Sequence, residues 1–422
     1  MKKLFGFIII LLLVLIALIY WSVSGSDSDL KTAEIINYEE VESIDFKKHD
    51  SILIAASTLF EGGAIKKLMQ GETYRKAWST PVKFPVVYLD TLYGGMEIVE
   101  EGGGRQTHSL EIKSPDGTVY SLRSINKDPK KLIPEIAEKL GLENVIVDGL
   151  SAQHPYGAVL AAEMADIAGV LHTHPKPVFL PKQERLGKFN KKFGNRIFLL
   201  EYETKGDVNW TPYNADKILD TDGLQELKMK KGDKVSIDHK ALVRARLFDL
   251  LIGDWDRHAK QWGWVMQKEN GGFKAVPLAG DRDNAFFKPG GVIPEIVTNK
   301  NIKPLIRPFE KDIDFMPGLV YPFDIYFLRS VPETVFVEQA KILQTKLTDK
   351  KLEESFKVWP ASISKLDKND ILTKVKNRRE HLVEYAREFH KIINERDLLS
   401  KPLKGSEDLK LNEKLLKCFD CE

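Results

Sequence analysis

The chain has 422 residues, 43% hydrophobic and 29% charged, which supports a folded core and is not the composition of a disordered chain. Lysine and arginine total 63 against 61 acidic residues, a formal net charge of +2. That balance excludes an overall basic footprint, so no nucleic-acid partner is expected.

No charge occurs from Leu4 to Val23. At about 1.5 Å per residue this run spans about 30 Å, the thickness of a bilayer's hydrocarbon core. Residues 1–25 are therefore expected to form an N-terminal transmembrane anchor. A cleaved signal peptide ending near Ser22 or Ser24 is the alternative, although the run exceeds the roughly 7–15 apolar residues of such a signal. Lys2 and Lys3 precede the run, and Asp27 and Asp29 follow it. The N-terminus should then be cytoplasmic and the main domain extracytoplasmic, periplasmic in a bacterium. Tyr20 and Trp21 stand where an interfacial aromatic belt would lie.

Residues 26–50 read as a polar stalk. Strands are predicted around Ile52–Ala56 and, between prolines, over 81–89. Glycines cluster at Gly94–Gly95 and Gly102–Gly103–Gly104. Residues 106–113 and 118–125 read as a hairpin about the turn Ser114-Pro115-Asp116-Gly117. Helices are predicted over 131–140 and 155–167, and strands over 177–180 and 196–200. Asp238 is a candidate N-cap for a helix carrying Leu242, Val243, Leu247, Leu250 and Leu251, and Gly253 is its candidate stop. A second hairpin, 262–267 with 273–278, follows. Ile371, Val375, Leu382, Ala386, Phe389 and Ile393 predict one long helix. Cys418 and Cys421, the two cysteines, suit a disulfide in an exporting compartment or half a zinc site.

Two acidic clusters flank the second hairpin: Asp254-Trp255-Asp256-Arg257-His258 before it and Asp281-Arg282-Asp283 after it. The hairpin should bring both to one end. Carboxylates gathered there repel unless a cation, an arginine or a proton neutralises them. Magnesium or manganese, with oxygen ligands, would do so, and a remaining carboxylate can orient or deprotonate a hydroxyl. The purely structural alternative is that Arg257 and Arg282 pair with these aspartates. The glycine cluster can bring backbone amides to phosphate oxygens, and Arg123 on the next strand can add charge. His172 and His174 can offer metal nitrogens but read as a surface turn. His154 reads as a helix-start residue, and Trp255, Trp262 and Trp264 as packing.

The order of glycine-rich turn, cation-bearing strand, helices, strands, buried helix, Asp loop, hairpin and second Asp resembles the protein-kinase-like fold. Asp256-Arg257-His258 is similar to the catalytic loop of the HipA toxin kinases, the CotH spore-coat kinases and the secretory-pathway Golgi kinases. Asp283-Asn284 resembles the metal-binding segment of type II phosphatidylinositol 4-kinases and Golgi kinases, with Ala285 where these carry glycine. Tyr120–Ile125 is similar to the strand that bears the nucleotide-binding lysine, here Arg123. The likeness spans about residues 90–290, and the anchor resembles that of bacterial envelope proteins.

The resemblance implies an α+β, two-lobed kinase-like fold behind one transmembrane helix. Its parts would be an N-lobe-like region over 51–205, a helical C-lobe over 206–400 and a tail over 401–422. It implies Asp256 as catalytic acid, with Arg257 and His258 in its loop. Asp283, Asp281 and Gln261, the last in place of an asparagine, would hold metal. Gly102, Gly103, Gly104 and Arg123 would hold the phosphates of ATP or another nucleotide, with Glu135 or Glu138 pairing to Arg123. The expected function is metal-dependent transfer of a phosphoryl or nucleotidyl group to a hydroxyl on a protein, lipid or glycan. The alternatives are a non-catalytic pseudokinase-like envelope module and a metal-dependent hydrolase. In a periplasm, which has no evident ATP supply, another phosphate donor would be needed.

Overall fold

The structure is a computed structural model that describes residues 2–24, 34–35, 41–102, 107–127, 133, 135–269 and 271–420. One helix, Lys2–Val23, is long and apolar enough to cross a membrane. Its side chains are mostly exposed, but Ser22 and Val23 at its end are buried against the rest of the molecule.

Three short strands open the body: β1 (Glu34–Ile35), β2 (Ser51–Ala55) and β3 (Pro81–Pro85), paired antiparallel in that order. The described part of the stretch expected as a stalk, 34–35 and 41–50, does not stand free. Ile35, Ile44 and Phe46 are buried in the main core, and the Phe46 ring lies 5.0 Å from that of Phe179. Apolar residues spaced too widely to form an amphipathic pattern hid this in the sequence.

A five-stranded sheet follows. It contains β4 (Glu97–Gly102), β5 (Ser109–Lys113), β6 (Val119–Ser124), β7 (Lys176–Leu180) and β8 (Arg196–Tyr202). The order is β4-β5-β6-β8-β7, antiparallel throughout. The predicted hairpin is β5–β6, and the Asp116 carboxylate accepts from Thr118 N at 3.0 Å to fix its turn. Alternation along the strands sends Leu110, Ile112, Leu122, Phe198 and Leu200 into one apolar cluster. The other face then carries Arg123, which stands opposite Leu199, and Glu201 two residues further along β8.

A four-stranded sheet, ordered β10-β12-β11-β9, comprises β9 (Ala215–Asp220), β10 (Val235–Ile237), β11 (Trp262–Glu269) and β12 (Gly272–Ala279). Trp262 pairs with Ala279, so the chain entering β11 and the chain leaving β12 emerge at the same end. Gly280 N donates to Gln261 O at 3.0 Å and holds them together. The helix His239–Ile252 feeds this end. Asp238 caps it by accepting from Ala241 N at 3.0 Å, and Gly253 stops it in the left-handed conformation (φ 67°). Trp262 and Trp264 are buried and stack near Phe323, which is packing as expected.

The remaining helices include Gly157–Ala168 and Glu333–Lys346. The helix expected over 131–140 is present as Glu135–Lys139, and 131, 132 and 134 lie outside the described residues. The single long helix expected through Ile371–Ile393 is two helices, Ala361–Glu380 and Leu382–Glu395, broken at His381. The first packs on His239–Ile252 and the second mainly on Glu333–Lys346, so different partners override a continuous periodicity. The tail folds back on the body: Phe419 N donates to Tyr326 O at 3.0 Å, and Tyr326 Oη to Leu415 O at 2.7 Å. Cys418 is buried and disulfide-bonded, and Cys421 lies outside the described residues.

Candidate functional site

The strand face bearing Arg123 meets the open end of the β11–β12 hairpin. Arg123 Nη2 donates to Asp281 Oδ1 and, at 2.9 Å, to Asp283 Oδ2. Lys127 Nζ lies 3.2 Å from the same Asp283 oxygen, with only 8% of its side chain exposed. Burial opposes ionisation of Asp283, but Lys127 and Arg123 overcome it and hold the carboxyl well below the usual range. Glu201 Oε1 lies 3.0 Å from Arg123 Nε, out of line for a hydrogen bond. Burial pushes the Glu201 carboxyl up to about 8, against the pull of Arg123 and of Thr173 Oγ1, which donates to it at 2.5 Å.

Arg257 pairs in part with Asp254 of the first cluster, as the structural alternative expected, and both Arg257 and Arg282 turn to Asp249. Arg257 is fully buried, with Nε 3.2 Å from Asp249 and Nη1 3.5 Å from Asp254. Its Nη1 also donates to Gly280 O at 2.7 Å and Asp281 O at 3.3 Å. Arg282 pairs with Asp249 at 3.1 Å, and Arg246 bridges Asp249 to Asp324. Burial would raise the Asp249 carboxyl, yet Arg257, Arg282 and Arg246 together bring it below its ordinary value. Asp254 goes the other way: burial raises it well above the carboxylate range despite Arg257. The arginines thus neutralise Asp249, burial favours the protonated form of Asp254, and the arginine side chains leave the carboxylates of Asp256, Asp281 and Asp283 to other partners. The resemblance puts Arg257 in the catalytic loop beside Asp256. In the structure it is a strut that ties the loop before β11 to the loop after β12.

Asp256 is about 29% exposed, and its Oδ1 lies 3.9 Å from His258 Nε2. Burial lowers the imidazole's basicity, while Asp256 and Asp281 both act on it in the opposite sense. Gln261 Nε2 reaches Asp281 Oδ2 at 3.5 Å, and its amide oxygen lies 3.4 Å from Arg257 Nη1. Asp281 itself has φ 49°, an uncommon conformation for a residue with a side chain, and Phe286 at the far end of the loop has φ 60°. Asn284 is buried and its Oδ1 accepts from Gln153 Nε2 at 2.7 Å.

The structure therefore brings together Asp281, Asp283, Gln261 and Arg123, with Asp256 and His258 at their edge. Gly102 ends β4 opposite Ser109, which stands opposite Arg123, so the three lie in one cross-strand row. Two strand spacings put Gly102 about 10 Å from Arg123. Gly103 and Gly104 lie outside the described residues. Glu135 is not brought to Arg123. It is exposed and pairs with Lys139 at 3.6 Å, because its helix lies on the outside of the molecule. Glu138 is exposed on the same helix. Sequence reasoning missed Glu201, one residue past the strand expected to end at Leu200, and Lys127, two residues past the predicted strand end at Ile125.

The carboxylate oxygens of Asp281 and Asp283 fit a hard divalent cation, whereas Gln261 turns its amide nitrogen to Asp281 and its oxygen to Arg257 and would add a ligand only with the amide turned over. The group Asp166, His172 and His174 is near enough to hold a metal by distance. However, His172 Nδ1 accepts from His174 N at 3.1 Å, and its Nε2 faces Asp166 Oδ1 at 3.0 Å. Both ring nitrogens are in use, and His172 is buried on a parallel bridge to Ala279, not in the surface turn expected of it. His154 Nδ1 likewise accepts from Tyr156 N at 3.0 Å at a helix start.

No protein-family model matches the chain, and no curated protein does. Solved structures with low similarity include the Helicobacter pylori proinflammatory kinase CtkA. It shares 13% identity at a TM-score of 0.36 over 72% of this chain and 97% of that one. HipA of Shewanella oneidensis MR-1, solved with HipB and operator DNA, is another. There the identity is 10% and the TM-score 0.30, over 77% of this chain and 70% of that one. Similarity at this level leaves the chemistry of the site to be judged on its own geometry.

Proposed function

We propose that the chain is a membrane-anchored, two-lobed kinase-like phosphotransferase that moves a phosphoryl or nucleotidyl group from a nucleotide to a hydroxyl outside the cytoplasm. One observation carries this reading: Arg123 and Lys127 converge with Asp281 and Asp283 beside the partly exposed Asp256. The cation lies on the third strand of its sheet, as does the phosphate-binding lysine of protein kinases. Arg123 is a rigid fork where that lysine is a point charge, which suits it to two phosphate oxygens at once.

Counting charges gives the order of binding. Arg123 and Lys127 now balance Asp281 and Asp283. A nucleotide's phosphates would draw the two cations away, and the freed carboxylates would then call for a metal. Asp281 and Asp283, joined by Gln261 if its amide turned its oxygen to them, would hold magnesium or manganese, which supplies neutralisation of phosphate charge when bound. Asp256 orients the acceptor hydroxyl and takes its proton as the oxygen attacks phosphorus, while the remaining phosphate departs with the bonding electrons. Arg257 keeps the two loops in register, and positioning and electrostatics do most of the work.

A pseudokinase-like binding module is the second reading, and the closed charge balance favours it, since the cluster is satisfied by its own side chains. Thermal shift of the full chain in detergent separates the readings. The transferase is expected to be stabilised by ATP or GTP only with magnesium or manganese, by about 2.7 kcal/mol at roughly 100-fold Kd. Asp283→Ala should lose that shift. Asp256→Asn should keep it while losing transfer of labelled phosphate. No shift with any nucleotide favours the module, a shift with metal alone favours a hydrolase, and wild-type behaviour of both variants sinks the site.

A further inference from the structure

We propose that the body lies directly on the bilayer crossed by the helix Lys2–Val23, through an apolar face around that helix's exit, and does not hang from a tether. The proposal rests on the anchor reading and goes beyond it.

The end of the helix is built into the body. Gln70 Nε2 donates to Ser22 Oγ at 3.1 Å, and Tyr20 Oη donates to Leu140 O at 2.7 Å. A tyrosine at that place in the helix marks the headgroup level, so Leu140 sits at the same depth. The helix also packs along Ala64–Gln70, which in turn packs on Val292–Val297. The junction behind these two is tight: a Cβ on Gly291 would fall 2.3 Å from Gly71 N. The surface is therefore fixed relative to the anchor.

That surface is apolar. Leu68 is 57% exposed, Ile136 68% and Leu140 50%. Ile296 and Val297 are exposed on the neighbouring helix, and Ile302 and Leu305 on the loop that follows it. Arg307 stiffens this loop by donating to Lys303 O at 3.0 Å. Outside the anchor, more than half of the large apolar side chains exposed among the described residues belong to these segments. An apolar patch of this kind costs free energy in water and is relieved by insertion at a lipid interface. Charges there are mixed: Lys67 pairs with Glu72 at 3.1 Å and Lys139 with Glu135 at 3.6 Å. Burial of apolar side chains, not attraction to anionic lipid, is thus the attraction. Asp283 precedes Gly291 by eight residues, which keeps the acidic cluster within roughly 30 Å of that junction.

The test uses the full chain in phosphatidylcholine vesicles without anionic lipid. Spin labels are placed one at a time at Leu12→Cys, Ile296→Cys, Ile302→Cys and Met229→Cys, the last exposed outside the patch. Relaxation by oxygen and by a water-soluble nickel chelate is then compared. The labels at positions 296 and 302 should favour oxygen, as the label at 12 does, and the label at 229 should favour nickel. If 296 and 302 behave like 229 while 12 remains lipid-buried, the docked face is refuted and the anchor stands. If 12 itself is open to nickel, the anchor fails and the proposal falls with it.

Discussion

Two buried groups decide how the site holds its shape. Arg257 faces Asp249, Asp254 and the carbonyls of Gly280 and Asp281 with no exposed side-chain surface. Arg257→Met leaves two buried acids short of a partner, so a loss of about 3–5 kcal/mol is expected by chemical denaturation. A loss below 1 kcal/mol would mean the ion pairs are incidental. Glu201 sets a pH dependence. Its ordinary value is 4.5, and burial pushes it up to about 8 in the folded chain. Between those limits the folded state keeps a proton that the unfolded state has lost, so stability falls as pH rises through that window. Glu201→Gln cannot ionise there, and its melting temperature should gain on wild type from pH 5 to pH 8. A constant difference would refute the shift. Asp256, Asp281 and Asp283 were legible in the sequence because like charges at hairpin ends demand an explanation. Lys127 and Glu201 were not, because each lies just past a predicted strand end and its partners are distant in sequence.

Local signals did best where backbone chemistry is explicit. The Asp238 cap, the Gly253 stop and the turn at Ser114–Gly117 were readable because each rests on a residue's own geometry. Gly253 has a second constraint that is not local. A Cβ there would lie 2.6 Å from Phe309 Cδ2, whereas Gly141, also at positive φ (62°), has open space around it. Gly141→Ala should therefore cost about 1–2 kcal/mol for backbone strain alone. Gly253→Ala should cost more, because Phe309 must also move. Equal melting temperatures for the two variants would remove the packing constraint. The break at His381 was invisible to periodicity, because the apolar stripe continues across it while the partner helices change.

At the scale of the molecule, segments far apart in sequence share one core. Phe46, from the supposed stalk, packs with Phe179 of β7. Phe46→Ala should cost about 3–5 kcal/mol, measured by thermal melting of the full chain. A free stalk would show no change. The candidate site draws on β6, β8 and the loops on both sides of the second hairpin, and the end of the apolar helix Lys2–Val23 is hydrogen-bonded to residues 70 and 140.

The amino-acid sequence alone determined the apolar segment, the two hairpins, the capped helix and the acidic loops, since each depends on composition or on contacts within a few residues. Only the tertiary structure decided which cations meet which carboxylates. Arg257 and Arg282 turned inward to Asp249, while Arg123 and Lys127 crossed from another sheet to Asp281 and Asp283. The physical reason is that charge neutralisation depends on distance in space, and strand register and helix packing set that distance.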